Sequence, residues 1–212
     1  MRKRTIKIVV LSDTHGKHNQ LPIPKCDLFI FGGDSNITSF DKLLEFNKWL
    51  RKIDATKKIV IAGNHDSFLE QMDYYQTCSF FTNAIYLMNN HVKVFGLKIF
   101  GSPFSKKFNK WSYMRQDNNL QMIWNLIEQK TDIILIHGPA YGWLDKNVDG
   151  ENCGSITLRN TIEHIKPKYL ICGHIHEDSG ILKEKDITII NASALDEKYQ
   201  LKFEPKMFYI EK

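Results

Sequence analysis

The chain reads as an α/β protein: a two-sheet α/β sandwich with flanking helices and its functional loops at the C-terminal edge of the strands. Three observations predict this. Short apolar runs recur along the sequence, segments with a helical stripe lie between them, and no Pro/Ser-rich linker, repeat or low-complexity tract breaks the 212 residues. Strands alternating with helices imply a mostly parallel sheet covered on its faces. The length fits a single domain, residues 1–212, with room for a core.

The runs Ile6–Leu11, Leu28–Phe31, Ile59–Ala62, Ile133–Ile136 and Tyr169–Cys172 are bounded by Gly, Asp or Asn, as buried strands are. Between them, Asp41–Ile53 carries Leu43, Phe46, Leu50 and Ile53 at helical spacing, and Thr38 with Asp41 offers a capping-box-like start. Asn118–Lys130 repeats the stripe with Leu120, Ile123, Trp124 and Ile127, and Ser155–Ile165 does so with Leu158, Ile162 and Ile165 before Pro167 stops it. Trp49 and Trp124 fall on such stripes and are assigned to the core. Val92–Phe95 and Lys98–Phe100 flank Gly96-Leu97, which predicts a hairpin turning there. Ile187–Ile190 and Met207–Ile210 read as late antiparallel strands.

Composition excludes several classes. A net charge of +5 lacks the dense basic stripe of a dedicated nucleic-acid binder, so no stable nucleic-acid complex is expected. Met1-Arg2-Lys3-Arg4 is basic, but the following Ile6–Leu11 contains Lys7 and reads as a first strand, not a leader. No run of about 18 apolar residues exists, so no membrane span is expected. Cys26, Cys78, Cys153 and Cys172 show no CxxC spacing; reduced thiols and a cytoplasmic location follow as the expectation.

Each of the five apolar runs ends in donor residues: Ser12-Asp13-Thr14-His15, Gly32-Gly33-Asp34, Gly63-Asn64-His65-Asp66, His137-Gly138 and Gly173-His174-Ile175-His176. Open α/β sheets build their sites just beyond the carboxyl ends of the strands. Any one of these histidines taken alone is more simply a core or loop residue, and a lone Asp after a strand is usually a turn or cap. Five coincidences at one edge overturn that. Asp13 and Asp34 supply anionic oxygen, Asn64 amide oxygen, and His15, His137, His174 and His176 imidazole nitrogen. This mixed set without thiolate suits Mn, Fe or Zn. Seven donors exceed one tetrahedral ion and, with a bridging carboxylate, serve two divalent ions roughly 3.5–4 Å apart, a spacing that clamps phosphate. His18, His91 and His164 stand outside the pattern and read as loop or surface residues.

The ordered blocks Asp13-Thr14-His15, Gly33-Asp34, Gly63-Asn64-His65-Asp66, His137 and Gly173-His174-Ile175-His176 resemble the calcineurin-like metallophosphoesterase superfamily, from residue 6 to the region of Leu195. The Gly96–Phe104 stretch, Trp111, His137-Gly138-Pro139 and Asn191-Ala192-Ser193 resemble its small single-domain branch of MPPED-type phosphodiesterases; His176 is present, although some members of that branch lack the last histidine. The resemblance implies the metallophosphoesterase sandwich. It further implies a binuclear phosphodiesterase hydrolysing small phosphate esters such as cyclic nucleotides by attack of a metal-bridging hydroxide, with manganese favoured. By this resemblance Asp13, His15, Asp34 and His176 hold one ion and Asp34, Asn64, His137 and His174 the other. His65 would assist the leaving group, and Asp66 would accept from the other ring nitrogen of His65, or else cap the next helix.

Substrate contacts are expected from the loops. Phe104, Phe108, Trp111, Tyr113 and Arg115, then Tyr141, Trp143, Asp145 and Lys146, are aromatic and charged without periodicity. Aromatics there could stack a base with Arg115 or Lys146 near phosphate, or simply cover the sheet edge. Asn36, Phe104, Trp111, Arg115 and Tyr141 are the chosen candidates. The competing functions are a nuclease on single-stranded nucleic acid and a non-catalytic scaffold of the same fold. The H-x-H opening of an amidohydrolase barrel and the H-x-H-x-D-H run of a metallo-β-lactamase are both missing.

Overall fold

Side-chain alternation along the strands divides the apolar residues into three layers, and the layers define the architecture. The computed structural model describes residues 5–211, so the basic Met1-Arg2-Lys3-Arg4 stretch lies outside the described residues. The first half contains β1 (Thr5–Leu11), β2 (Cys26–Phe31), α1 (Phe40–Lys52), β3 (Ala55–Val60), α2 (Ser67–Glu70), α3 (Tyr74–Phe80), β4 (Ile85–Tyr86), β5 (Asn90–Val94) and β6 (Leu97–Ser102). Then come β7 (Ser105–Lys106), β8 (Met114–Arg115), α4 (Asp117–Trp124), β9 (Ile133–Ile136), α5 (Ile156–Ile165), β10 (Tyr169–Cys172), β11 (Gly180–Glu184), β12 (Ile187–Asn191) and β13 (Lys206–Glu211).

One sheet runs β13-β1-β2-β3-β4 and the other β11-β12-β10-β9-β6-β5. Ile6, Ile8 and Val10 of β1 pack with Leu28, Ile30, Leu97, Ile99, Leu135 and Ile171 in the layer between the sheets. The intervening Val9 and Leu11 face the other way, against Leu43, Phe46, Trp49 and Leu50 of α1. On the second sheet Phe100, Ile134, Ile136 and Leu170 turn outward to α4 and α5. Burial of each such large side chain stabilises the fold by about 1.5–3 kcal/mol, so the alternation fixes which face of each strand points inward.

The two sheets meet at one edge. β1, β2 and β3 are parallel, as are β6, β9, β10 and β12, so their C-terminal ends share a direction within each sheet. Just past β1, Ser12 pairs with Ser193, which follows β12: Ser12 N donates to Ala192 O (2.9 Å) and Ala194 N to Ser12 O (3.0 Å). This seam draws the loops of both sheets together.

Several expectations are corrected in detail. Ser39, not Thr38 or Asp41, caps α1, accepting from Lys42 N at 3.4 Å. The stripe expected to run to Lys130 leaves the α-helix after Trp124, because Leu126 and Ile127 bond back only three residues; Ile127 is buried all the same. The hairpin turns at Phe95-Gly96, both left-handed (φ 52° and 76°), which frees Leu97 to enter β6. β12 is antiparallel only to β11, which the sequence did not reveal, and is parallel to β10. β13 is antiparallel to β1 in the other sheet. His18 is buried against Phe46 and Trp49, and His91 is half-buried on β5, so neither is a surface residue; His164 is exposed. None of the four cysteines is paired. Among the described residues no helix is long and apolar enough to cross a membrane.

Candidate metal centre

At the seam, backbone conformation aims the side chains. Asp13 (φ 52°), His15 (41°), Asp34 (57°) and His174 (72°) all sit in the left-handed region. Non-glycine residues are uncommon there, and such outliers mark functional sites when the surroundings hold them in place. Here the hold is visible. The carboxylate of Asp13 accepts from His174 N through both oxygens (3.0 Å each) and from Ser193 Oγ (2.8 Å). Asp34 O accepts from His15 N (3.0 Å), and Asp34 Oδ1 from His65 N (2.8 Å). The glycines of the motifs leave room for this approach: a Cβ on Gly63 would overlap Asp34 Oδ1, and one on Gly173 would overlap Asp13 Oδ2.

Three clusters of donors result. The ligand atoms of Asp13, His15 and His176 lie within 4.8 Å of one another, and so do those of Asp34, His137 and His174, the two donor groups that the motifs define; His15, Asp34 and His65 form the third cluster. Asp34 links the groups, with Oδ2 3.6 Å from His15 Nε2 and Oδ1 3.4 Å from His137 Nε2. Asn64 Oδ1 stands 2.9 Å from His137 Nε2. The structure thus brings together all seven donors that the motifs supply.

The polar contacts test whether cations fit. His137 Nδ1 pairs with Gly32 O (2.9 Å) and His176 Nδ1 with Asp196 O (3.1 Å), which assigns the proton to Nδ1 in both rings. A neutral ring held that way turns a bare Nε2 lone pair inward, as metal-ligating histidines do. At His137 that lone pair would meet the oxygens of Asn64 and Asp34. At His176 it would meet His15 Nε2 (3.3 Å) and Asp13 Oδ1 (3.6 Å). Such contacts are relieved by a hydrogen on one partner, as in an Nε2–H tautomer of His15, or by a divalent cation lying between the lone pairs. The donor set fits a pair of such cations.

Charge distribution agrees. Burial disfavours a cationic His137, yet Asp34 and then Asp13 push its pKa up to about 9. Burial and the neighbouring His137 bring His174 down to about 3, and burial brings His15 down to about 4, so both present neutral nitrogen. Burial works against an ionised Asp34, but His137 and then His15 hold it down to about 2. Burial likewise opposes ionisation of Asp13, and His176 and His137 outweigh it and keep its carboxyl far below the usual range.

His65 lies beside these donors on the wall of an open cavity of about 550 Å³. Its ring centroid is 4.7 Å from that of His15 and 4.9 Å from that of Trp111. Asp66 departs from both roles expected of it. It occupies the N-cap position of α2 without a side-chain capping bond. Both carboxylate oxygens are instead committed to the backbone N–H groups of Asp34, Ser35, Ile37 and Gly63 and to Ser35 Oγ, which leaves none for the His65 ring.

Of the loop candidates, Trp111 and Phe108 line the cavity. Phe104 packs edge-on to Tyr113, with the Arg115 guanidinium 5.0 Å above its ring. Arg115 pairs with Glu70 (3.2 Å), Tyr141 is exposed away from the cavity, and Asn36 belongs to the loop that wraps Asp66, so none of these four is on the cavity wall. Tyr113 and Trp143 are core residues, and Asp145 Oδ2 binds the N–H groups of Gly142 and Gly154. The wall also includes Lys106, Asn147, Asn152, Cys153 and Tyr199, with Glu151, Glu177 and Glu197. Tyr199, left-handed at φ 58° and edge-on to His15 and His176, carries no pattern that a sequence reading could use.

The profile of calcineurin-like phosphoesterases matches residues 6–178, so the chain belongs to that family, whose members are metal-dependent phosphoester hydrolases. Within it, the chain groups with the MPPED-type and UPF0046 proteins. It is 32% identical to human metallophosphoesterase domain-containing protein 1 over 222 residues, covering 92% of this chain and 68% of the relative. It is 31% identical to the Caenorhabditis elegans UPF0046 protein C25E10.12, covering 97% and 81%. In fold it resembles the phosphopantetheinyl hydrolase of Mycobacterium tuberculosis, with a TM-score of 0.62 at 11% identity over 91% of this chain and 90% of that one.

Proposed function

We propose that the chain is a single-domain binuclear phosphodiesterase acting on small phosphate esters such as cyclic nucleotides. The observation that carries this reading is the placement of Asp34, with one carboxylate oxygen toward each donor group and the open cavity directly above. One ion would be held by Asp13, His15, Asp34 and His176 and the other by Asp34, Asn64, His137 and His174; the donor set suits Mn, Fe or Zn, and the family resemblance favours manganese among them. Divalent cations held there would polarise the phosphoryl oxygens and lower the pKa of water. His65 reaches the same space and can donate a hydrogen bond or a proton to the departing alcohol oxygen. Trp111 and Phe108, whose rings meet at 5.1 Å, offer faces to an aromatic alcohol or base.

The charge of the wall supports a small ester over a nucleic-acid strand. Lys106 stands among Glu151, Glu177 and Glu197, and such a rim repels a polyanion. The complete donor set favours an enzyme over a scaffold. Unpaired cysteines are consistent with a reducing, cytoplasmic setting. The test is a substrate panel on metal-analysed protein loaded with Mn, Fe or Zn, with bis(p-nitrophenyl) phosphate and cyclic nucleotides set against monoesters. Turnover of the diesters that depends on two ions per chain supports the proposal; a fully loaded protein inert toward every ester on the panel would refute it.

A further inference from the structure

Asp66 is fully buried, yet the five hydrogen bonds of its carboxylate include no side chain of the metal centre. Oδ2 accepts from Gly63 N (2.8 Å), Asp34 N (3.0 Å) and Ser35 N (3.4 Å), while Oδ1 accepts from Ile37 N (2.8 Å) and Ser35 Oγ (2.9 Å). The donors come from two loops. One follows β2 and holds Asp34 and Asn36, both left-handed (φ 57° and 71°); the other follows β3 and holds Gly63, Asn64 and His65. Successive backbone N–H groups around left-handed residues form a concave anion site, and here a side chain of the protein fills it.

We infer that Asp66 is a positioning residue that locks these two loops together, so that Asp34 can face both donor groups at once while Asn64 and His65 keep their places beside it. The inference rests on the binuclear reading proposed above. Asp66 fixes the main chain of Asp34 at its N–H, and His65 N fixes the carboxylate at Oδ1 (2.8 Å). Asp66 N in turn donates to Gly63 O (3.1 Å), closing the Gly63–Asp66 turn that presents Asn64 and His65. Without the buried carboxylate, the left-handed loop keeps only the bonds from His15 N to Asp34 O and from His65 N to Asp34 Oδ1 to offset its strain, and the Asp34 side chain gains freedom to favour one donor group over the other.

The test compares Asp66→Asn, Ser35→Ala and the core variant Leu50→Ala. Asn at this position is isosteric, but its amide must turn an N–H toward either Ile37 N–H or the trio Gly63, Asp34 and Ser35. Metal-free proteins are titrated with Mn2+ in a calorimeter, and electron paramagnetic resonance spectra are recorded at two Mn2+ per chain. Wild type is expected to bind two ions as a spin-coupled pair. Asp66→Asn should bind one ion about tenfold or more weakly, and its spectrum should revert to that of uncoupled ions. Ser35→Ala removes a single bond to Oδ1 and should weaken the same ion by a smaller factor; it stands in if Asp66→Asn fails to fold. Leu50→Ala should lower the melting temperature without altering either readout. Unchanged affinities and a coupled spectrum in Asp66→Asn, or in Ser35→Ala if only that variant folds, would overturn the inference while leaving the phosphodiesterase reading intact. A wild-type protein that binds fewer than two ions would overturn both.

Discussion

Asp34 Oδ1 stands 3.4 Å from His137 Nε2, with His137 fully buried and Asp34 buried but for its face on the cavity. The other oxygen of the same carboxylate turns to His15. A single residue therefore faces both donor groups. Replacing Asp34 with Asn keeps the shape but removes the charge that both groups share. Asp34→Asn should lose at least one ion per chain by elemental analysis and lower kcat on diesters by at least about a hundredfold. Retention of both ions would show that Asp34 is not the bridge.

His65 contributes its backbone N–H to Asp34, and its ring nitrogen lies within 4.8 Å of the ligand atoms of His15 and Asp34 without being a ligand in the proposed assignment. Removing the ring should therefore spare metal binding. His65→Ala is expected to hold two ions and to lose about 10²–10⁴-fold in kcat on alkyl diesters, whose leaving groups need a proton. The loss should be much smaller with p-nitrophenyl esters. Equal losses on both classes would remove His65 from leaving-group assistance.

Metal uptake should be proton-linked. With its pKa pushed up to about 9, His137 carries a proton at neutral pH when no cation is bound, and a cation must displace it. Between pH 7 and 9 the Mn2+ affinity should rise by up to about tenfold per pH unit, levelling off above the His137 pKa. Calorimetry in buffers of different ionisation enthalpy should count about one proton released per chain at pH 7. An affinity that is flat over this range would contradict the charge state assigned to His137.

The motifs made the site legible because each donor follows an apolar run, and run plus glycine plus donor is a local pattern. Asp13, His15, Asp34, Asn64, His137, His174 and His176 were readable for that reason, as were the strands that carry them. The layers were readable too, since Ile6, Ile8 and Val10 alternate with Val9 and Leu11. Long-range pairing was not. Nothing in Ile187–Ile190 reveals that β12 runs parallel to β10, and nothing local in Asp66 shows that its backbone partners are Asp34, Ser35, Ile37 and Gly63. The substrate candidates fared worst: Arg115 and Phe104 satisfy one another and Glu70, whereas Tyr199 reaches the donors from a loop without periodicity.

His18 illustrates the same limit and gives a stability prediction. It is buried against Phe46 and Trp49, and neither ring nitrogen has a partner among the described residues. Burial lowers its pKa from 6.5 to about 4. As the pH falls below 6.5 the unfolded chain takes up the proton first, so this part of the stability is complete above pH 6.5 and is lost toward pH 4. The loss should reach about 2–3 kcal/mol in urea unfolding. His18→Phe should lack that component; an identical pH dependence in variant and wild type would place the loss elsewhere.

The most direct measurement is anomalous diffraction from crystals of the protein soaked in Mn2+. Two peaks per chain are expected, roughly 3.5–4 Å apart. One should be ringed by Asp13, His15 and His176 and the other by Asn64, His137 and His174, with the Asp34 carboxylate reaching both. A single peak, or two peaks that Asp34 does not join, would contradict the binuclear account.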